Sequence, residues 1–229
     1  MIKKIIYKKA KNFVERVLKE ESQNIRRELD RRALRSTAEY VGEKMSYVSS
    51  VDTKYKVHDV AVNNISILEG VVIEFGVYKG DTINYIARKL PSFDVFGFDS
   101  FEGLPEFWRD GFDKGTFSLN SLPEVEKNVK LYKGWFDDTL PQFVKENKQK
   151  IAYLHVDCDL YNSTKLIFEY LKDRILQGTV IVFDEYFNYP DWEKGEFKAF
   201  QEFITKTGRK YLYLTFNHLH EQVALKIVE

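Results

Sequence analysis

AYLHVDCDLYNST at Ala152–Thr164 and VIVFDEY at Val180–Tyr186 follow one pattern: an apolar, β-rich run that ends abruptly in acid. The first run stops at Asp157 and Asp159, the second at Asp184 and Glu185. In an open parallel sheet, ligands bind outside the carboxyl ends of the strands. Two strands that end in carboxylates at that edge predict a hard-cation site, because Mg²⁺ and Ca²⁺ take oxygen ligands. The alternative is that the acids cap the helices that follow, a position Asp fills well. Four carboxylates exceed what two caps need.

Outward from this pair the same alternation recurs. Val71–Phe75, Phe93–Phe98 and Val129–Tyr132 read as earlier strands, and helical patterns cover Asp81–Leu90, Asp137–Asn147, Asn162–Leu176 and Gly195–Thr207. Five strands alternating with helices imply a parallel sheet covered on both faces. Tyr211–Phe216 and Gln222–Ile227 have only a short turn between them, so they must run antiparallel. The expected fold is therefore α/β, a seven-stranded, mostly parallel sheet with one antiparallel strand. It occupies residues 68–229, and residues 1–67 form an N-terminal helical extension.

The extension reads as helix through about residue 50, with a further short helix over residues 56–67. Ile2, Ile5, Ile6, Phe13, Val14, Val17 and Leu18 recur at helical spacing. Residues 1–20 also carry Lys3, Lys4, Lys8, Lys9, Lys11, Arg16 and Lys19 against only Glu15 and Glu20. The apolar stripe is expected to pack on the domain or on a second subunit, making the chain a homodimer or higher oligomer. Peripheral contact with an anionic membrane is the alternative.

Bulk properties narrow the function. Lys+Arg and Asp+Glu number 35 each in the 229 residues, which argues against a nucleic-acid binder relying on positive charge. The single cysteine, Cys158, excludes an intrachain disulfide and fits a reducing, cytoplasmic setting. Its aspartate neighbours disfavour a thiolate, so a structural role is expected. No apolar run is long enough for a membrane span, and the N-terminus lacks a signal-peptide core.

At the first strand's end, Glu74-Phe75-Gly76-Val77-Tyr78-Lys79-Gly80 forms a glycine-bearing strand–helix turn. Such glycines let a cofactor approach the backbone, and Gly80 can admit the chain into the helix. The spacing is not the G-x-G-x-x-G of dinucleotide sites. Asp99, 23 residues beyond Gly76, ends the second strand where an acid commonly accepts hydrogen bonds from ribose hydroxyls.

VVIEFGVYKGDT (71–82), FGFDSFEGLP (96–105), GWFDDTLP (134–141), HVDCDLYNST (155–164) and FDEY (183–186) together resemble the class I S-adenosylmethionine (SAM) methyltransferases. More narrowly, they resemble the macrocin-type O-methyltransferase family, which methylates sugar hydroxyls in macrolide and aminocoumarin biosynthesis. The resemblance implies a Rossmann-like class I methyltransferase fold with SAM and Mg²⁺, or another divalent cation, as cofactors. It implies that Glu74, Gly76 and Gly80 form the cofactor turn and that Asp99 holds the ribose. Ser100 and Phe101 then lie beside the adenosine, and Trp135 and Phe136 near the adenine. It gives Asp157, Asp184 and Glu185 to the metal, with Glu185 standing where an aspartate is usual. Asp159 becomes a helix cap or an acid behind the ligands.

The implied reaction moves the SAM methyl to a hydroxyl of a small, sugar-containing acceptor. Asp157 is a candidate to contact the reacting group. His155, His218 and His220 are candidate bases, because histidine titrates near neutrality. His155 falls in a buried strand and reads as structural, whereas His218 and His220 occupy the last turn at the acidic edge. Trp108, Arg109, Tyr189 and Trp192 lie in the two loops expected to meet the acceptor. Competing readings are metal-independent methylation of a non-sugar hydroxyl or an amine, and a non-catalytic SAM-fold assembly protein.

Overall fold

Strands without polar alternation need cover on both faces. Val71–Phe75 (β2), Ile151–Val156 (β5) and Val180–Phe183 (β6) are buried at every residue. The computed structural model describes residues 2–229, without the side chains of residues 2–5, 17, 18, 20 and 21. Ile2, Ile5, Val17 and Leu18 of the predicted stripe lie outside the described side chains. Asp94–Asp99 (β3) and Val129–Lys133 (β4) extend the sheet on one side. Tyr211–Asn217 (β7) and Val223–Ile227 (β8) extend it on the other.

The sheet has eight strands rather than seven. Ser50–Val51 (β1) adds to its outer edge, giving the order β1-β7-β8-β6-β5-β2-β3-β4. β1 runs parallel to β7, pairing Ser50 with Phe216 and Val51 with Asn217. The Thr215 hydroxyl donates to the Ser49 carbonyl at 2.8 Å, and the His218 N–H to that of Val51 at 2.9 Å. Two residues carry no periodic signal, so this strand exists only through its partner edge. β8 alone is antiparallel to its neighbours, β6 and β7. The β7–β8 turn consequently falls at the carboxyl edge of the parallel strands.

Helices divide between the two faces. One face packs Val71, Ile73 and Phe75 against Leu140 and Phe143 of Phe136–Glu146 (α5), Ile167 and Phe168 of Tyr161–Leu171 (α6), and Phe200 and Phe203 of Glu196–Thr207 (α7). The other packs Val72, Val95 and Val182 against Val57 and Ala61 of Lys54–Asn63 (α3) and Ile83 and Ile86 of Asp81–Lys89 (α4).

The long N-terminal helical run is two helices, Ile2–Ser22 (α1) and Ile25–Lys44 (α2). The break is set by Asn24, whose side chain accepts the Arg27 N–H at 3.2 Å as an N-cap. α2 packs on the sheet unit: Ala33 and Thr37 are buried, and the Tyr40 and Tyr213 hydroxyls lie 2.5 Å apart. The Tyr213 hydroxyl also meets that of Tyr186 at 2.7 Å. The described part of the α1 stripe does not pack on this unit. Ile6, Phe13 and Val14 are exposed.

Candidate active site

The carboxyl edge opens into a cavity of about 620 Å³, within the usual range for small-molecule sites. Its walls come from the turns after β2, β4, β5 and β6, the long loop after β3 and the start of α3. At the β2 turn, Gly76 has φ 87°, and a Cβ there would lie 1.6 Å from the Asp157 carbonyl oxygen. Only glycine therefore lets the ends of β2 and β5 close together.

Asp99 organises this turn. One oxygen accepts the N–H groups of Val77 and Tyr78, each at 2.8 Å, and the other accepts that of Phe101 at 2.6 Å. A carboxylate has about four lone-pair sites, so one position remains for a ligand hydroxyl. Tyr78 and Phe101 both adopt positive φ, 48° and 57°, under this restraint.

Of the sequence-derived cofactor residues, Gly76, Asp99, Ser100, Trp135 and Phe136 line the cavity. Phe136 is held edge-on to Phe75, with ring centroids 5.0 Å apart. Glu74, Gly80 and Phe101 are not among the lining residues. Phe101 turns into the core, and Gly80, at φ 84°, serves the entry to α4. Glu74 is buried and accepts from, or shares a proton with, His155 Nδ1 at 2.9 Å.

That pair begins a chain of buried charge. His155 faces Glu74 on one side and Asp184 Oδ1 at 3.9 Å on the other. Burial alone would lower its pKa, but Asp184 and Glu74 together raise it to about 10, so the ring is an imidazolium. His58 on α3 stands edge-on to it at 4.6 Å. Burial and the His155 charge hold His58 well below the ordinary histidine value. Its Nδ1 meets the Tyr153 hydroxyl at 2.6 Å. Burial pushes the Asp184 pKa up, yet His155 and Lys54 hold that carboxyl far below its usual range. The Gln222 amide donates to its second oxygen at 3.2 Å.

The remaining acids behave oppositely. Burial, reinforced by Asp184, raises Asp157 well above the carboxylate range. Burial with Asp159 and Asp184 does the same for Glu185. Asp159 is pushed up to about 7 by burial, against the pull of Arg109. Ligand atoms of His155, Asp157 and Asp184 lie within 4.8 Å of one another, as do those of Asp157, Asp159 and Glu185. Asp157 is common to both groups, whereas the consecutive Asp184 and Glu185 fall into different ones. Asp184 Oδ1 and Glu185 Oε2 are buried without a hydrogen-bond partner among the described residues. Orphaned buried carboxylate oxygens, in a cluster where Asp157 and Glu185 are driven toward protonation, are the donor set a hard divalent cation neutralises. The residues fit such an ion.

His218 and His220 are not brought to these acids. Both are solvent-exposed and neither lines the cavity. Their turn does reach the edge, but through Gln222 and Glu221. Glu221 clasps Arg109 of the long loop, with Nη1 2.9 and 3.1 Å from its two oxygens. Arg109 also lies 3.8 Å over the Trp108 ring and 5.1 Å over that of Tyr189. Trp108, Arg109, Phe112 and Phe117 thus wall the outer cavity, while Trp192 is buried against α2 and donates to the Ser36 hydroxyl at 2.9 Å. Cys158 is buried and holds no thiolate: burial and Glu196 raise its pKa well above the ordinary thiol value.

Sequence reading missed Lys54, the first residue of α3, which lines the cavity. Burial opposes its charge, but Asp184, Asp157 and Glu74 raise its pKa above the ordinary lysine value. Nothing near Lys54 in sequence marks it; the folding of α3 across the sheet brings it to acids that lie 20 or more residues away.

A methyltransferase domain family matches residues 73–186. The demethyldecarbamoylnovobiocin O-methyltransferase of Streptomyces niveus is 28% identical over 179 residues, 65% of this chain and 66% of that protein. A tetracenomycin 4'-O-methyltransferase of Streptomyces olivaceus, whose substrate name includes a dimethoxy-rhamnosyl group, is 28% identical over 142 residues, 51% of this chain and 53% of that protein. The matches thus span just under two thirds and about half of these curated relatives. The crystal structure of a calicheamicin methyltransferase superposes with a TM-score of 0.62 at 22% identity, covering 75% of this chain and 77% of that one. The O-methyltransferase NovP superposes with a TM-score of 0.55 at 20% identity, covering 76% and 80%. Both structures have the same fold.

Proposed function

We propose that this chain, which matches a methyltransferase domain family over residues 73–186, transfers the methyl group of SAM to a hydroxyl of a small sugar-containing acceptor, with a divalent cation assisting. The observation that carries the reading is one cavity lined by two chemically different sets of residues: the Gly76 turn, Asp99, Trp135 and Phe136, and the acids Asp157, Asp184 and Glu185.

In this reading Asp99 holds the ribose with its remaining acceptor position, and Trp135 and Phe136 offer apolar faces to the adenine. Asp157, common to both acid groups, would hold the cation together with Asp184 on one side or Glu185 on the other, and a bound cation would lower the pKa of the acceptor hydroxyl. His155 keeps Asp184 ionised and in place, and Glu74 keeps His155 charged. Asp159, titrating near neutrality on the cavity wall, is available to take the hydroxyl proton. Trp108, Phe112 and Phe117 present rings to the acceptor, and aromatic faces suit the C–H surfaces of a sugar. The relatives' names support the sugar-bearing natural-product class.

Asp184→Asn tests the proposed metal site. It keeps size but removes a charge, so Mg²⁺ affinity and methyl transfer should fall while SAM affinity, read by calorimetry, stays within about twofold. Excess Mg²⁺ should restore part of the rate by mass action. Full turnover in chelator would instead support metal-independent methyl transfer, and failure to bind SAM would support the assembly-protein reading.

A further inference from the structure

α1 is a 21-residue helix on which every described side chain is exposed. Ile6, Tyr7, Phe13 and Val14 are between 52% and 72% exposed. Ile6, Ala10, Phe13 and Val14 stand at i, i+4, i+7 and i+8, so they form one face. A helix of this length that is not alanine-rich is marginal alone in water, and its stability ordinarily comes from packing its apolar face. Here the described residues of that face are exposed rather than packed on their own domain. Ile25 and Leu29, just past the break at Asn24, continue the exposed apolar surface.

Charge identifies the cover. No acid precedes Glu15, whereas Lys3, Lys4, Lys8, Lys9 and Lys11 do. Residues 1–20 hold seven basic and two acidic side chains, a net +5, and since the whole chain sums to zero the remainder is −5. Packing two α1 helices together would set +5 against +5. An anionic bilayer meets both needs: it buries the apolar face at the acyl boundary, and lysine stems along the helix reach the headgroups. We propose that α1 lies in the plane of an anionic membrane surface and holds the catalytic domain there as a peripheral protein.

The test is flotation of the full chain with phosphatidylglycerol–phosphatidylcholine vesicles and with pure phosphatidylcholine vesicles. Binding to the anionic vesicles alone is expected, weakened by salt and accompanied by a rise in helical circular dichroism. Reversing Lys8, Lys9 and Lys11 to Glu should weaken partition by at least about tenfold, since each basic residue near such a surface contributes about 1 kcal/mol. Ile6→Asp combined with Phe13→Asp should abolish it. All five side chains are exposed, so an unchanged melting temperature is expected and separates lost binding from lost folding. Absence of binding to anionic vesicles, equal binding to neutral ones, or unaltered binding of the variants would each overturn the proposal. So would self-association, seen by sedimentation without vesicle binding, that the Ile6→Asp/Phe13→Asp variant removes; a second copy would then cover the face.

Discussion

Asp99 illustrates how one side chain both builds and equips a site. Its three accepted N–H bonds fix the β2 turn, so Asp99→Ala should disturb the turn as well as remove the proposed ribose acceptor. Hydrogen bonds to a charged group contribute about 1.5–3 kcal/mol, so SAM affinity should fall roughly 10- to 150-fold. The melting temperature should fall with it, and unchanged calorimetric affinity in a folded variant would reject the ribose assignment. Lys54 gives a prediction of opposite sign. Its ammonium shares the acid cluster with any incoming cation, so Lys54→Met should bind Mg²⁺ more tightly, on the order of fivefold for one partly screened charge. The same variant should be less stable in chelator, because Asp157, Asp184 and Glu74 lose a counter-charge. Weaker Mg²⁺ binding in Lys54→Met would mean that the lysine orders the ligands rather than competes. The place of Asp157 and Asp184 at the carboxyl edge was legible from sequence because acid at the end of an apolar strand is a local pattern. Lys54 was not, because its role depends on where α3 comes to rest. The threefold use of Asp99 was hidden for the same reason: its partners lie 21 and 22 residues upstream as well as beside it.

Among the elements, the parallel strands were readable because double-sided burial leaves uninterrupted apolar runs. The reversal of β8 followed from a connection too short for a crossover. β1 and the α1–α2 break were not readable by periodicity. The first is two residues long, and the second rests on a single capping side chain, Asn24. The loop between β3 and β4 has no helix or strand beyond the Arg109–Phe112 bridge, and its position is set by contacts rather than pattern. Its principal anchor on the site side is Arg109 on Glu221, each about a quarter exposed. Glu221→Gln keeps the shape but removes the charge. Amide hydrogen exchange over residues 104–118 should then speed up by about tenfold, the scale of a lost charge-assisted bond of roughly 1.4 kcal/mol. Exchange elsewhere in the sheet should not change. If residues 104–118 exchange as in the parent, the clasp does not hold the loop, and the aromatic contacts of Trp108 with Phe112 and Tyr189 suffice.

For the molecule as a whole, the acid cluster should make stability and the proposed cation binding depend on pH together. Asp159 rises from an ordinary 3.8 to about 7 in the folded chain, so its contribution is full below about pH 4 and is lost as pH climbs through 7. Asp157 and Glu185 are raised as well and act in the same direction. His155 rises from 6.5 to about 10, so its contribution is intact up to pH 6.5 and declines only above it. Asp184 is depressed, and its contribution is lost only as pH falls below the ordinary carboxylate range. Between about pH 4 and pH 7 the raised acids therefore decide the sign, and the chelator-treated protein should lose stability as pH rises. A cation must displace the protons these acids hold, so Mg²⁺ should bind more tightly with rising pH and release protons as it binds. Melting curves in chelator and in Mg²⁺ should diverge progressively from about pH 5 to pH 8, the Mg²⁺ form standing higher. Calorimetry in two buffers of different ionisation enthalpy would count the protons. Curves that run parallel across this range, with no proton released, would show that the acids do not receive the cation and would leave their burial to be explained by packing alone.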